Sequence, residues 1–78
     1  MAIIRDVKNE WSAPVTLQSD EIWQARSGSI FISTTADPES DDGIWMVLRD
    51  GVRIGAGLQV RYRKEDNAAA LIVREVVQ

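Results

Sequence analysis

The chain has 78 residues, contains neither cysteine nor histidine, and carries a formal charge of -3 at pH 7. This composition excludes disulfides, thiol chemistry and the usual zinc ligand sets, and the acidic balance argues against non-specific binding to nucleic acid, which needs a surplus of lysine and arginine. The length predicts a single domain over residues 1–78, with so small an interior that association between copies is the remaining way to stabilise it.

From its sequence pattern we expect neither a membrane-spanning segment nor a signal peptide. No apolar run approaches the roughly 20 residues that a membrane helix requires, and the polar start Met1–Val7 does not resemble a signal peptide. We therefore expect a protein that is cytoplasmic at synthesis and has no membrane partner.

Apolar residues recur with a period near two over most of the chain, which favours strands. The last candidate follows three alanines that favour helix, but its own β-branched residues favour a strand. Short strands at this spacing predict an all-β fold, a small antiparallel β-sandwich or barrel of about seven to eight strands. The candidates in chain order are 2–7, 14–17, 21–25, 29–35, 44–48, 52–54, 57–63 and 71–77.

The clearest alternation occurs on both sides of Gly55-Ala56-Gly57. Because glycine gives the freedom that a tight turn needs, this segment predicts a hairpin. Ile54 would then lie opposite Leu58, and Val52 opposite Val60, so that the apolar residues of both strands share one face.

The segment Ile44–Leu48 is apolar on both faces and precedes Asp50-Gly51, a turn signal. Trp45 and Val47 alternate with Ile44 and Met46, so one of the two faces must be covered by something other than the domain's own core. We predict that Trp45 and Val47 belong to an interface.

Two further groups of residues are candidate contact sites. Three tryptophans either fill the core or a subunit interface, or stack on sugars if they are exposed. Three arginines on the polar face of the predicted hairpin either bind carboxylates or phosphates, or keep the strand surface soluble. The residues are Trp11, Trp23 and Trp45, and Arg53, Arg61 and Arg63.

The acidic loop Asp37–Gly43 contains carboxylates followed by glycine, as calcium loops do, but the positions that an EF-hand needs for glycine and glutamate hold Asp42 and Leu48. We interpret it as a solvated turn in which Pro38 and Gly43 set the backbone. The spacing of the acidic residues singles out no catalytic pair. We therefore predict no enzymatic activity, no catalytic residues, no metal and no cofactor.

The order of features from Trp23 to Val76 resembles small β-structured virion proteins of tailed phages and prophages. The resemblance rests on Trp23–Ser29 leading into a strand, the Asp37–Gly43 loop, Asp50–Gly57, and Val60–Arg63. It implies a domain that decorates a capsid, joins head to tail or belongs to a fibre. No site residue follows from it.

The segment Asp50–Arg63 is also similar to the second hairpin of cupins. Cupins that bind metal do so through histidines, which are absent from this chain. The similarity therefore implies a shape, and at about half the usual cupin length only a reduced barrel.

These observations favour a non-enzymatic structural protein, a phage or prophage virion component, whose copies associate through apolar strand faces, for example as a trimer, and contact other virion proteins. The alternative is a carbohydrate-binding module that uses exposed tryptophans.

Overall fold

The computed structural model describes residues 2–39, 42–65 and 67–77. These residues form strands without any helix, so none of them belongs to a helix that could cross a membrane. The all-β prediction is confirmed, including the final strand. The strands are β1 (Ala2–Ile4), β2 (Val15–Thr16), β3 (Glu21–Ser27), β4 (Ile30–Ser33), β5 (Ile44–Met46), β6 (Gly51–Ile54), β7 (Gln59–Lys64) and β8 (Leu71–Val76).

The eight strands form two antiparallel sheets that pack as a sandwich. Sheet 1 has the order β1-β8-β3-β6, and sheet 2 has the order β2-β7-β4-β5. Each sheet has two edge strands, β1 and β6 in sheet 1 and β2 and β5 in sheet 2. Of the two predicted architectures, the sandwich is therefore the observed one.

The core lies between the sheets and is built by strand alternation. In β3, Trp23 and Ala25 are fully buried while the flanking Ile22 and Arg26 are exposed, because successive side chains point to opposite faces of a strand. The largest fully buried side chains are Trp23, Leu17, Ile30, Ile32, Met46, Ile72 and Val60.

The predicted hairpin across Gly55-Ala56-Gly57 is wrong. β6 pairs with β3 in sheet 1, whereas β7 pairs with β2 and β4 in sheet 2. The glycine-rich link therefore carries the chain from one sheet to the other. Backbone bonds hold this crossing against an earlier segment, with the amide of Gly57 donating to the carbonyl of Leu17 over 2.9 Å. The cupin-like hairpin shape is absent for the same reason.

Crossings between the sheets dominate the topology. Among the described strands, β4 and β5 are the only two that follow one another in the chain and also pair with each other. The turn predicted at Asp50-Gly51 spans Val47–Asp50, and it leads from β5 at the edge of sheet 2 to β6 at the edge of sheet 1. β5 is consequently shorter than predicted, and Val47 and Leu48 belong to the turn.

The loop before β5 ends at Gly43 with a φ of 99°, a left-handed conformation that favours glycine. A Cβ atom there would lie 2.6 Å from the carbonyl oxygen of Ile32, so this position is closed to any larger residue. The unusual backbone predicted for Gly43 is confirmed. Ser40 and Asp41 of the same predicted loop lie outside the described residues.

Candidate functional site

The outer face of sheet 2 carries a row of aromatic and guanidinium groups. Phe31 lies between the buried residues Ile30 and Ile32 in β4, so its side chain points away from the core. Trp45 of β5 and Arg63 of β7 are its register partners on either side. Residues directly opposite each other share a face, so the three side chains form a line across three strands.

Arg63 joins this line to a second tryptophan. Its guanidinium carbon lies 4.3 Å from the ring centroid of Phe31 and 5.4 Å from that of Trp11, both within reach of a cation–π interaction. The indole nitrogen of Trp11 donates to the carbonyl oxygen of Glu39 over 2.8 Å. We call Trp45, Phe31, Arg63 and Trp11 the aromatic row.

The two ends of the aromatic row differ in exposure. Trp11, Phe31 and Arg63 are partly buried against one another, whereas 58% of Trp45 is exposed. A tryptophan held by neighbours on one side and open on the other suits contact with a second molecule, because its large apolar surface gains most from being covered.

Apolar exposure continues along the chain from Trp45. Ile44 is 54% exposed and Leu48 is 56% exposed, and Val47 is exposed as well. Met46, between them, is buried in the core. We call the segment Ile44–Leu48 the β5 edge.

The β5 edge lacks the charges and prolines with which edge strands usually avoid pairing with other chains. No charged residue or proline occurs between Gly43 and Leu48. The other edge strands are protected by sequence: β6 contains Arg53, β1 is followed by Arg5, and β2 is preceded by Pro14. β5 is thus the edge best suited to accept another strand.

The turn beyond β5 holds the exposed residues in place. The carboxylate of Asp50 accepts the amide proton of Val47 over 3.1 Å, and the amide of Asp50 donates to the carbonyl of Val47 over 2.9 Å. Arg49 adopts a φ of 75°, which is uncommon for a residue other than glycine. Its amide donates to the carbonyl of Ala25 over 2.8 Å. This bonding anchors the turn to β3 and keeps Val47 and Leu48 outside the core.

A groove of about 320 Å³ lies beside the β5 edge, between the edge strands β5 and β6. The buried residues Ile32 and Ile54 are among its lining, together with the exposed Ile44 and Leu58. The groove therefore extends the apolar surface from the β5 edge toward sheet 1.

The predicted site residues lie in four places of the structure. Trp45 and Val47 lie together at the β5 edge, and Trp23 is a core residue with no exposed surface. The remaining predicted site residues are Trp11, Arg61 and Arg63 on or beside β7, and Arg53 on β6.

The three arginines do not form the predicted stripe, because β6 and β7 belong to different sheets. Arg53 pairs with Asp20 over 3.1 Å. Arg61 donates to the carbonyl of Ser12 over 3.2 Å, and Arg63 supports the aromatic row. Each guanidinium therefore has a structural contact within the domain.

Sequence reasoning missed Phe31, Ile44 and Leu48 as members of the site. The alternation of side chains along β4 places Phe31 on the opposite face from the buried Ile30 and Ile32. It did not indicate that β5 and β7 flank β4, and this pairing is what aligns Phe31 with Trp45 and Arg63.

The titratable groups with shifted pKa values belong to structural contacts. The bidentate hydrogen bond from Arg74 lowers the pKa of Glu21, and the amide of Ala56 together with Arg53 lowers that of Asp20. Burial raises the pKa of the Tyr62 hydroxyl. Among the residues that the structure describes, no cluster of carboxylates could hold a metal ion.

No protein-family model matches the chain, and no curated protein or solved structure is significantly similar to it. A functional interpretation therefore depends on the geometry of the β5 edge and the aromatic row.

Proposed function

We propose that the chain is a non-enzymatic assembly protein whose copies associate through the β5 edge. The observation that carries this proposal is Trp45, which is 58% exposed on an edge strand without charged residues. Burial of apolar surface contributes about 25 cal/mol per Å², so covering Trp45 with Ile44 and Leu48 favours association. The small core of a domain of this size supports the same conclusion.

Self-association is tested by light scattering over a range of concentrations. We expect the mass of the wild-type protein to rise above the 8.7 kDa of one chain as concentration increases, and Trp45→Ser to stay at that mass. Ile22→Ser is the matched control, because Ile22 is 48% exposed on the outer face of sheet 1, and it should associate like the wild type. Equal effects of the two substitutions would contradict the role of the β5 edge.

The location in a virion is supported by the sequence resemblance to phage structural proteins and by the need of virions for surfaces that repeat between copies. A trimer, or a contact with other virion proteins, would use the same exposed apolar surface. Neighbouring genes for capsid, portal or tail proteins would support this location, and genes for metabolic enzymes would oppose it.

The aromatic row favours a second candidate function, binding of carbohydrate. Trp45 and Phe31 lie side by side on an outward face, and aromatic faces stack on the apolar faces of sugar rings. Titration with soluble cell-wall polysaccharide fragments should then shift the tryptophan emission of the wild type but not of Trp45→Phe. An unchanged wild-type spectrum over a broad glycan panel would exclude this function.

A further inference from the structure

The outward side of β5 is an unpaired strand edge in the described structure. β5 pairs with β4 on one side and ends the order of sheet 2 on the other. Backbone N–H and C=O groups of an edge strand point alternately to its neighbour and outward, and the outward groups are a template for another strand. At β5 these groups lie beside the exposed side chains of Ile44 and Trp45.

We propose that β5 pairs antiparallel with β5 of a second copy, about a two-fold axis that passes between the two Trp45 residues. Sheet 2 of one copy then continues into sheet 2 of the other as one eight-stranded sheet. This inference rests on the proposed function and specifies its partner, surface and register.

The faces of β5 restrict the register. Directly opposite residues of antiparallel strands place their side chains on the same face of a sheet. Met46 points into the core, and Trp45 points outward with Phe31. For the two sheets to continue into each other with their cores on the same side, Trp45 must lie opposite an outward residue of the second copy. A slip by one residue would place it opposite a core residue.

The length of β5 selects one of the remaining registers. With Trp45 opposite Trp45, Ile44 lies opposite Met46 in both directions, and all three residues of the strand are paired. After a shift by two residues, only one of the three residues of β5 still lies opposite a β5 residue of the second copy. The other two lie opposite residues outside the strand. In one direction that shift also places Asp42 opposite Asp50 of the second copy, and like charges in this position are destabilising.

Symmetry makes this contact self-limiting. An isologous two-fold contact uses the same edge on both copies and closes as a dimer. The pairing also aligns the two aromatic rows, with the two Trp45 residues next to the axis and Phe31 of each copy one strand further out. Because the paired strands are only three residues long, we expect an interface smaller than the roughly 1,200 Å² of stable complexes and therefore a weak, concentration-dependent dimer.

Disulfide trapping tests the register directly. Because the chain has no cysteine, a covalent dimer can form only between the two copies of an introduced cysteine. In the proposed dimer the two residues at position 45 face each other, within the roughly 4.4 to 6.8 Å between Cα atoms that a disulfide allows. The two residues at position 47 are offset by about 13 Å along the strands. We expect Trp45→Cys to form covalent dimers under mild oxidation at least about tenfold faster than Val47→Cys.

Ile22→Cys is the control for random collision, since this residue is exposed on the other sheet. Equal dimer yields from the three variants would overturn the proposed pairing. Because Trp45→Cys removes the tryptophan that favours association, a second measurement uses the wild type. In a mixture of isotope-labelled and unlabelled protein, filtered nuclear Overhauser effects should connect Ile44 of one copy to Met46 of the other.

The two proposals fail in distinguishable ways. If Trp45→Ser abolishes dimerisation but the wild type shows no contact between Ile44 of one copy and Met46 of the other, the strand pairing is overturned and association through the β5 edge stands. Intermolecular contacts at Ile22 or at β6 would overturn both proposals. A wild-type protein that stays at 8.7 kDa at concentrations of several hundred micromolar overturns both. A trimer in light scattering overturns the two-fold pairing alone.

Discussion

Trp23→Ala should lower the free energy of unfolding by about 3–5 kcal/mol, the range for removing a large aromatic side chain from a core. Trp23 has no exposed surface and is the largest fully buried side chain. Its ring packs against Tyr62, with centroids 6.0 Å apart, and under the guanidinium of Arg74 at 5.1 Å. A domain of this length has a total stability of about 4–12 kcal/mol, so the substitution removes a large part of it.

Urea unfolding at low protein concentration measures this loss without a contribution from association. Ile22→Ala is the matched control, because Ile22 directly precedes Trp23 in β3 and points to the opposite, exposed face. It should change stability by less than about 1 kcal/mol. If Trp23→Ala lowers the free energy of unfolding by no more than the control does, packing of the Trp23 ring does not stabilise the core.

Glu21→Gln should cost about 2–3 kcal/mol at neutral pH, because it removes a charged partner from a largely buried ion pair. The two carboxylate oxygens of Glu21 accept hydrogen bonds from Arg74, each over 2.8 Å. The indole nitrogen of Trp23 donates to the same carboxylate over 3.1 Å. The side chain of Glu21 is 7% exposed and that of Arg74 is 26% exposed.

The stabilisation by Glu21 should depend on pH in one direction. Arg74 lowers the pKa of Glu21 in the folded protein below its ordinary value of 4.5. The unfolded chain therefore binds a proton first, and the contribution is fully present above pH 4.5 and is lost as the pH falls through the folded pKa. The stability difference between wild type and Glu21→Gln should shrink over that acidic range.

The pKa of Asp20 is also lowered. Asp20 is present in both proteins, so its pH-dependent contribution to stability cancels when the two stabilities are compared. Glu75→Gln, an exposed substitution on β8, should change stability by less than about 0.5 kcal/mol. A wild-type advantage over Glu21→Gln that stays constant from neutral to strongly acidic pH would show that the ion pair is not its source.

Local pattern was sufficient to predict where the strands lie and, within β4, which residues face the core. In β4, Ile30 and Ile32 lie on the buried face and Phe31 on the other, as the alternation of side chains along a strand requires. The apolar run at 44–48 indicated that Trp45 and Val47 would not both fit inside the domain, and both are exposed. These features depend on consecutive residues, because the side-chain period of a strand is set by its own backbone.

Strand pairing could not be predicted from the same pattern. The alternating apolar residues on both sides of Gly55-Ala56-Gly57 were compatible with a hairpin. The structure instead places Val52 and Ile54 in sheet 1 and Val60 in sheet 2. Burial of apolar side chains has no direction, so these residues contribute to the core equally well from either sheet. The neighbour of each strand is decided by the combined packing of segments that are distant in the chain.

The sequence by itself determined an all-β chain with a small core and an apolar segment around Trp45. Only the tertiary structure decided that this segment forms a sheet edge, that Phe31 and Arg63 align with Trp45, and that Arg53 lies on the other sheet. The physical reason is that alternation is fixed within a few residues, whereas the edges of a sandwich are defined only when all eight strands have found their neighbours.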